Sequence, residues 1–157
     1  MKKDAVIGIG NPAIGDEGIG NAVVTLLPTL FDCTDVDCLD LGTGVFSLMH
    51  VLPGRRRAVI VDCAFMGEEP GTMRGFTLRN ARSVKKLAHL SLHEGDVIHV
   101  LRLAETHGDG RSPRVVIYGI EPAALDIGLS LSEELEQKIP DYCRKIARDL
   151  GLNSLNG

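Results

Sequence analysis

The chain has 157 residues, of which 44% are apolar and 24% charged, and its formal net charge is -4. This balance is typical of one globular domain, predicted to span residues 1–157, and excludes a disordered chain. The acidic charge and an aromatic content of 4% exclude a general nucleic-acid binder. No apolar stretch reaches the roughly 18 residues of a membrane-spanning helix, so we expect no membrane insertion.

The cysteines indicate the redox environment. Four are scattered along the chain without a C-x-x-C pair: Cys33, Cys38, Cys63 and Cys143. Scattered thiols in a chain of this length favour a reducing compartment over a disulfide framework. The N-terminal residues lack the apolar stretch of a signal peptide, so the predicted location is cytoplasmic. The oligomeric state is left open.

The first half of the chain predicts three strands and two helices. Residues 5–10 form a short apolar run ended by glycines, which is typical of a buried strand. Apolar residues recur at helical spacing over residues 19–30. A second strand is predicted at residues 36–41, a short helix at 46–52 and a central strand at 57–62. The basic run Arg55-Arg56-Arg57 is predicted to be a solvated turn.

The second half predicts two further strands, at residues 73–78 and 114–119, and a helix at 83–89. Residues 94–106 have strand propensity but helical apolar spacing, and we predict a helix there. The last helix is predicted at residues 132–150, ended by Gly151. Pro140 is expected to kink or divide it.

Alternating strands and helices predict an α/β fold. We expect three layers, with a twisted, mainly parallel sheet of about five strands flanked by helices on both faces. In such sheets, functional groups gather beyond the carboxyl ends of the strands. Asp16 and Glu17 follow the first predicted strand, Asp62 ends the central one, and His93 lies between two helical segments. Two carboxylates and an imidazole are plausible ligands for a divalent metal.

The sequence signals for other kinds of site are weaker than those for a metal site. Gly8-x-Gly10-x-x-Ala13, with Asp40 ending the second strand, satisfies a relaxed dinucleotide- or phosphate-binding fingerprint. The acidic residues in the same loop would oppose a pyrophosphate there. Cys63 could be a nucleophile paired with His93, although a buried core thiol is the more common role for such a residue.

The ordered set of motifs resembles the [NiFe]-hydrogenase maturation endopeptidases. The resemblance begins with Gly8-x-Gly10-Asn11-x4-Asp16-Glu17-Gly18-x-Gly20 and covers nearly the whole chain. It continues through these motifs: Asp40-x-Gly42-Thr43, Val61-Asp62-Cys63-Ala64, Pro70-Gly71-Thr72, Ser91-x-His93, Gly119-Ile120-Glu121-Pro122 and Gly128-Leu129-Ser130.

This resemblance implies an endopeptidase that removes the C-terminal extension of a hydrogenase large-subunit precursor after nickel insertion. The family's metal-contacting residues fall on Glu17, Asp62 and His93, and the nickel is expected to arrive with the substrate. No organic cofactor is expected. Asp16 and Asp40 are candidates for the general base, although each also suits a cap or turn.

Two alternatives remain open at this point. One is a dinucleotide- or phosphate-binding module that uses the Gly8–Gly10 loop, which NAD or ATP would stabilise against heat. The other is an accessory protein that binds metal without catalysis, which would show nickel affinity but leave the mass of any partner unchanged.

Overall fold

A computed structural model of the chain describes residues 1–81, 94–107 and 112–157. Five strands are present in these residues: β1 (Asp4–Gly8), β2 (Val36–Asp40), β3 (Arg57–Cys63), β4 (Met73–Phe76) and β5 (Arg114–Ile120). The helices are α1 (Ile19–Leu30), α2 (Leu48–Val51), α3 (Leu78–Ala81), α4 (Glu94–His107) and α5 (Glu133–Leu150). Short 3₁₀ turns at Gly15–Gly18 and Val45–Ser47 precede α1 and α2.

The strands form one sheet in the order β2-β1-β3-β5-β4. The four strands β2, β1, β3 and β5 are parallel, and β4 pairs antiparallel with β5 at the sheet margin. We call the side on which the parallel strands begin the amino edge, and the side on which they end the carboxyl edge. The predicted α/β class, with a mainly parallel sheet of about five strands, is confirmed.

Helices cover both faces because apolar residues along the strands alternate between two cores. On β3, Val59 and Val61 belong to the core beneath α1 and α5. Ala58 and Ile60 point to the other face, where they join the core beneath α2 and α4. The sheet is therefore the middle of three layers, and its strand ends are the parts that loops can reach.

The predicted elements agree closely with the observed ones. The helix predicted at residues 94–106 is α4, so the helical spacing outweighed the strand propensity. The predicted strand at 73–78 ends earlier, at Phe76, because Leu78 starts α3. The helix predicted at residues 83–89 lies outside the described residues. Among the described helices, none combines the length and the hydropathy of a membrane span.

The prediction that Pro140 could divide the last helix is wrong, because α5 is one continuous helix. Ser132 caps its first turn through Leu135 N–H, and Gly151 ends it in the left-handed conformation. Its buried face packs on the sheet through seven residues: Leu135, Ile139, Tyr142, Cys143, Ile146, Ala147 and Leu150. This apolar burial offsets the one backbone hydrogen bond that a proline removes.

Candidate active site at the carboxyl edge of the sheet

The sheet order locates the candidate site. β1 lies between β2 and β3, so the chain leaves β1 in one direction to form β2 and returns on the other side to form β3. In open α/β sheets, ligands bind beyond the carboxyl ends of the strands where the order reverses in this way. Glu17 lies in the connection that follows β1, and Asp62 lies near the end of β3. The topology therefore brings these two predicted site residues together.

Asp62 is a buried acid, only 2% exposed. Neither of its carboxylate oxygens has a hydrogen-bond partner among the described residues. Burial raises the pKa of Asp62 to about 8, opposed by the backbone N–H of Cys63 and reinforced by the nearby Glu17 carboxylate. Buried carboxylates are normally paired, so an unpaired one at a strand end indicates a binding or catalytic role.

Glu17 is held beside Asp62 by a tightly packed backbone. It belongs to the buried 3₁₀ turn Gly15–Gly18, which leads directly into α1. A Cβ atom at Gly10, which has φ +146°, would stand 1.9 Å from the carbonyl oxygen of Glu17. A Cβ atom at Gly20 would stand 2.3 Å from the carbonyl oxygen of Val61. Glycine at these two positions lets the first loop and α1 lie directly against β3.

The same close contacts argue against a dinucleotide-binding loop. In a dinucleotide-binding loop, glycines leave room for a pyrophosphate to approach the backbone at the helix N-terminus. Here the space beside Gly10 is filled by the backbone of Glu17 itself. Asp16 and Glu17 are also buried immediately before α1, where a bound phosphate would meet their carboxylates. The glycine-rich loop is thus explained by close packing between the strand, the loop and the helix.

Asp16 holds two parts of the chain together. Its Oδ2 accepts hydrogen bonds from the N–H groups of Ala123 and Ala124, both at 2.8 Å. Its Oδ1 accepts one from the N–H of Ser132 at 2.7 Å. The side chain is fully buried, and both oxygens are occupied by backbone donors. This geometry favours the structural role for Asp16 over that of a general base.

Asp40 is exposed at the end of β2. Its Oδ1 accepts hydrogen bonds from the side-chain amide of Asn21 at 2.5 Å and from the N–H of Gly42 at 2.9 Å. The second bond is the expected cap of the Asp40-x-Gly42 turn. Asn21 was not singled out by the sequence, because a single Asn inside an apolar helix carries no motif.

Glu121, which directly follows β5, is a second structural acid at this edge. Its carboxylate accepts hydrogen bonds from the N–H of Met66 at 3.1 and 3.0 Å and from that of Glu68 at 2.7 Å. It therefore holds the loop that follows Asp62. Glu121 belongs to the motif Gly119-Ile120-Glu121-Pro122, and its position at the end of a strand was the available sequence signal for a role at this edge.

His93 lies outside the described residues, so the third ligand stays a prediction. Within residues 1–81, 94–107 and 112–157, no group of three His, Cys, Asp or Glu side chains could hold a metal ion. Cys63 is fully buried, and burial raises the pKa of its thiol. A raised thiol pKa disfavours the thiolate that a cysteine nucleophile needs.

The fold and site define a class: a small α/β protein with two buried carboxylates at the reversal point of a mainly parallel sheet. Comparison with known proteins identifies the family. The family model for hydrogenase maturation proteases matches residues 22–149. The chain is 30% identical over 141 residues to the hydrogenase expression/formation protein HoxM of Cupriavidus necator, covering 88% of this chain and 69% of that protein.

Two further similarities agree. The hydrogenase 2 maturation protease of Escherichia coli is 29% identical over 141 residues, covering 85% of this chain and 82% of that protein. The solved structure of the hydrogenase maturating endopeptidase HybD from E. coli superposes with a TM-score of 0.81 at 24% identity, covering 98% and 96% of the two chains. The chain belongs to the hydrogenase maturation protease family. It is accordingly a peptidase.

Proposed function

We propose that this peptidase removes the C-terminal extension of a [NiFe]-hydrogenase large-subunit precursor after nickel has entered that subunit. In this proposal Glu17, Asp62 and His93 contact the nickel that the substrate carries. The observation that carries it is Asp62, which is buried without a hydrogen-bond partner among the described residues and lies beside a second carboxylate. Family membership supports the substrate class.

The physical argument concerns the cost of a buried charge. A carboxylate removed from water needs a hydrogen-bond donor or a cation. Neither oxygen of Asp62 has a hydrogen-bond partner within the described part of the chain, and the nearby N–H of Cys63 opposes the rise in pKa without cancelling it. A divalent ion presented by the substrate would supply the missing charge. Two carboxylates and a neutral imidazole also form an incomplete ligand set, which leaves positions for the ligands that the substrate provides. A precursor without nickel would then bind poorly and stay uncut.

For cleavage, we propose that a water activated by a carboxylate attacks the peptide carbonyl that the substrate's metal polarises. Asp40 suits the general base better than Asp16. Asp40 is exposed, and within the described residues only its Oδ1 accepts hydrogen bonds. Both oxygens of Asp16 are taken by backbone donors.

The test uses purified protein, nickel-loaded and nickel-free precursor, and intact-mass measurement. We expect loss of a C-terminal peptide only from the nickel-loaded form, and no loss with Asp62→Asn or His93→Ala. The matched control is Asp4→Asn, which changes an equally buried aspartate at the amino edge and should leave processing intact.

Each other outcome contradicts part of the proposal. Cleavage regardless of nickel would keep the protease but contradict nickel recognition. Nickel affinity with no mass change in the precursor would favour the accessory protein. Stabilisation by NAD or ATP without cleavage would favour the nucleotide-binding alternative.

A further inference from the structure

A groove of about 610 Å³ lies between α1 and the chain segment that leads into α5. One wall is a stripe of α1 that includes Asn21, Thr25 and Thr29, which follow one another at helical spacing. The other wall includes Leu131 and Ile139. The end nearest the candidate site is lined by Pro12 and Gly15, from the loop that carries Glu17, and by Asp40.

The groove has the length of a short peptide. The lining residues of the first wall run from Gly18, which directly precedes α1, to Thr29. At a rise of about 1.5 Å per residue, this wall is about 16 Å long. An extended chain rises about 3.3 Å per residue, so about five residues fit along it. Thr25 and Thr29 are exposed, and their hydroxyls donate to carbonyls of α1 itself, those of Asn21 and Leu26. Substitution of these threonines should therefore leave the fold intact.

Asn21 connects the groove wall to Asp40 at the end of the groove. The residue is only 7% exposed, and its amide nitrogen donates to Asp40. Its Oδ1 is buried and has no partner among the described residues. Buried amide oxygens are normally satisfied, and leaving one unpaired costs about 1–3 kcal/mol. This oxygen faces the backbone of the first loop near Gly10, so the contribution of Asn21 to the groove is its hydrogen bond to the Asp40 carboxylate.

The charges around the groove favour a basic occupant. α1 carries no charged residue, and the groove lining contains Asp40 but no Lys or Arg. The first turn of α5 is acidic, and its exposed Glu136 lies one turn before the groove residue Ile139. Lys138 does not neutralise this wall in the structure, because its side chain lies within 2.9 Å of the Cβ position of Gly71.

We propose that the groove binds an extended segment of the hydrogenase precursor, about five residues long, that carries apolar side chains and at least one basic residue. The segment runs along α1 and enters the carboxyl edge beside Asp40. This inference rests on the proposed function, because it takes the precursor as the partner. It assigns the groove to substrate binding, separate from the carboxylates that contact the metal.

The experiment reverses charge at one exposed position, Thr25. Thr25→Lys and Thr25→Glu are compared with wild type by initial rates of processing over a range of nickel-loaded precursor concentrations. We expect Thr25→Lys to raise KM about fivefold with little change in kcat, because it weakens binding of substrate and transition state alike. Thr25→Glu should leave KM unchanged or lower it, and added salt should reduce the difference. Thr34→Lys, at an exposed threonine on the amino edge, is the matched control and should behave as wild type.

Equal KM values for all three Thr25 forms would overturn the inference while the proposed function stands. A similar rise in KM for both variants would overturn the basic occupant. If wild type does not cleave at all, the proposed function fails. Binding of the same precursor, measured by interferometry, then tests the groove independently of cleavage. Weaker binding by Thr25→Lys alone would then support the groove, and equal binding would exclude it.

Discussion

The two ends of the sheet hold buried aspartates in opposite electrostatic states. At the amino edge, Asp4 is 3% exposed and accepts hydrogen bonds from the guanidinium groups of Arg56 and Arg57. These hydrogen bonds, that of Arg56 foremost, lower its pKa to about 2. At the carboxyl edge, Asp62 is 2% exposed, and burial raises its pKa to about 8. The same side chain at the same depth is thus stabilised as an anion at one end and destabilised at the other.

Whether a buried aspartate has hydrogen-bond donors distinguishes a structural role from a candidate functional one. Removing a paired buried acid leaves its partners unsatisfied and destabilises the fold, whereas an unpaired buried acid itself costs stability. The carboxyl edge itself contains both kinds, because Asp16 is bonded to backbone N–H groups while Asp62 is not. Substitutions at these three aspartates therefore test the difference between bonded and unpaired buried acids.

The largest expected effect on stability is at Asp16. Asp16→Ala leaves three backbone N–H groups without their acceptor and removes the side-chain link between the first loop and residues 123–132. We expect a loss of about 3 kcal/mol or more in the free energy of unfolding, because hydrogen bonds to a charged group contribute most. Urea unfolding at pH 7 measures it. A change below about 1 kcal/mol would show that solvent replaces these bonds and that Asp16 is not a structural acid.

Substitution of Asp62 is expected to raise the free energy of unfolding, whereas substitution of Asp16 lowers it. Its folded-state pKa is raised, so its contribution to stability is greatest below about pH 4 and is lost as the pH rises towards 8. Asp62→Asn removes the buried charge and should raise the free energy of unfolding at pH 8 by about 1–3 kcal/mol, while processing is lost.

Thermal or urea unfolding of wild type and Asp62→Asn from pH 4 to pH 8, without metal, checks this prediction. The gap between the two proteins should widen as the pH rises. A variant less stable than wild type at pH 8 would mean that Asp62 is a paired structural acid like Asp4, and the comparison between the two edges would fail.

The smallest effect is expected at Asp4. Its folded-state pKa is lowered, so the stability it provides is present above about pH 4 and is lost as the pH falls towards 2. Asp4→Asn should cost about 1–2 kcal/mol at pH 7, since Arg56 is largely exposed and its ion pair is screened by solvent. Urea unfolding at pH 7 and pH 2.5 should show this cost and its disappearance in acid. A cost that persists at pH 2.5 would exclude the ion pairs as its cause.

The order and type of the elements were readable from the sequence because they depend on local periodicity. α1 at Ile19–Leu30 was predicted with its observed bounds, and α4 was recognised from apolar spacing despite its β-branched residues. Strand β3 is a continuous apolar run because both of its faces are buried. Placing Glu17 and Asp62 at one edge needed only the rule that parallel strands end on the same side.

The roles of side chains whose bonding partners lie far away in the sequence could not be predicted from local patterns. Arg55 was predicted to be part of a solvated turn, which is wrong: it is 6% exposed and paired with Asp37, 18 positions earlier. Asp16 and Glu17 are adjacent in sequence, and both carry a carboxyl group. Only the fold brings Ala123, Ala124 and Ser132 to Asp16 and places Glu17 near enough to Asp62 for its charge to raise the pKa of Asp62.

The α/β class, the strand ends that carry acids and the family could all be read from the sequence, because short-range patterns and an ordered set of motifs encode them. Only the folded chain distinguishes the acids that accept hydrogen bonds, such as Asp16, from Asp62, whose oxygens have no hydrogen-bond partner among the described residues. That distinction depends on burial and on hydrogen-bond donors more than 100 residues away, such as the N–H groups that meet Asp16. The pKa of a buried carboxyl group depends on the groups packed around it, and no local sequence pattern specifies those groups.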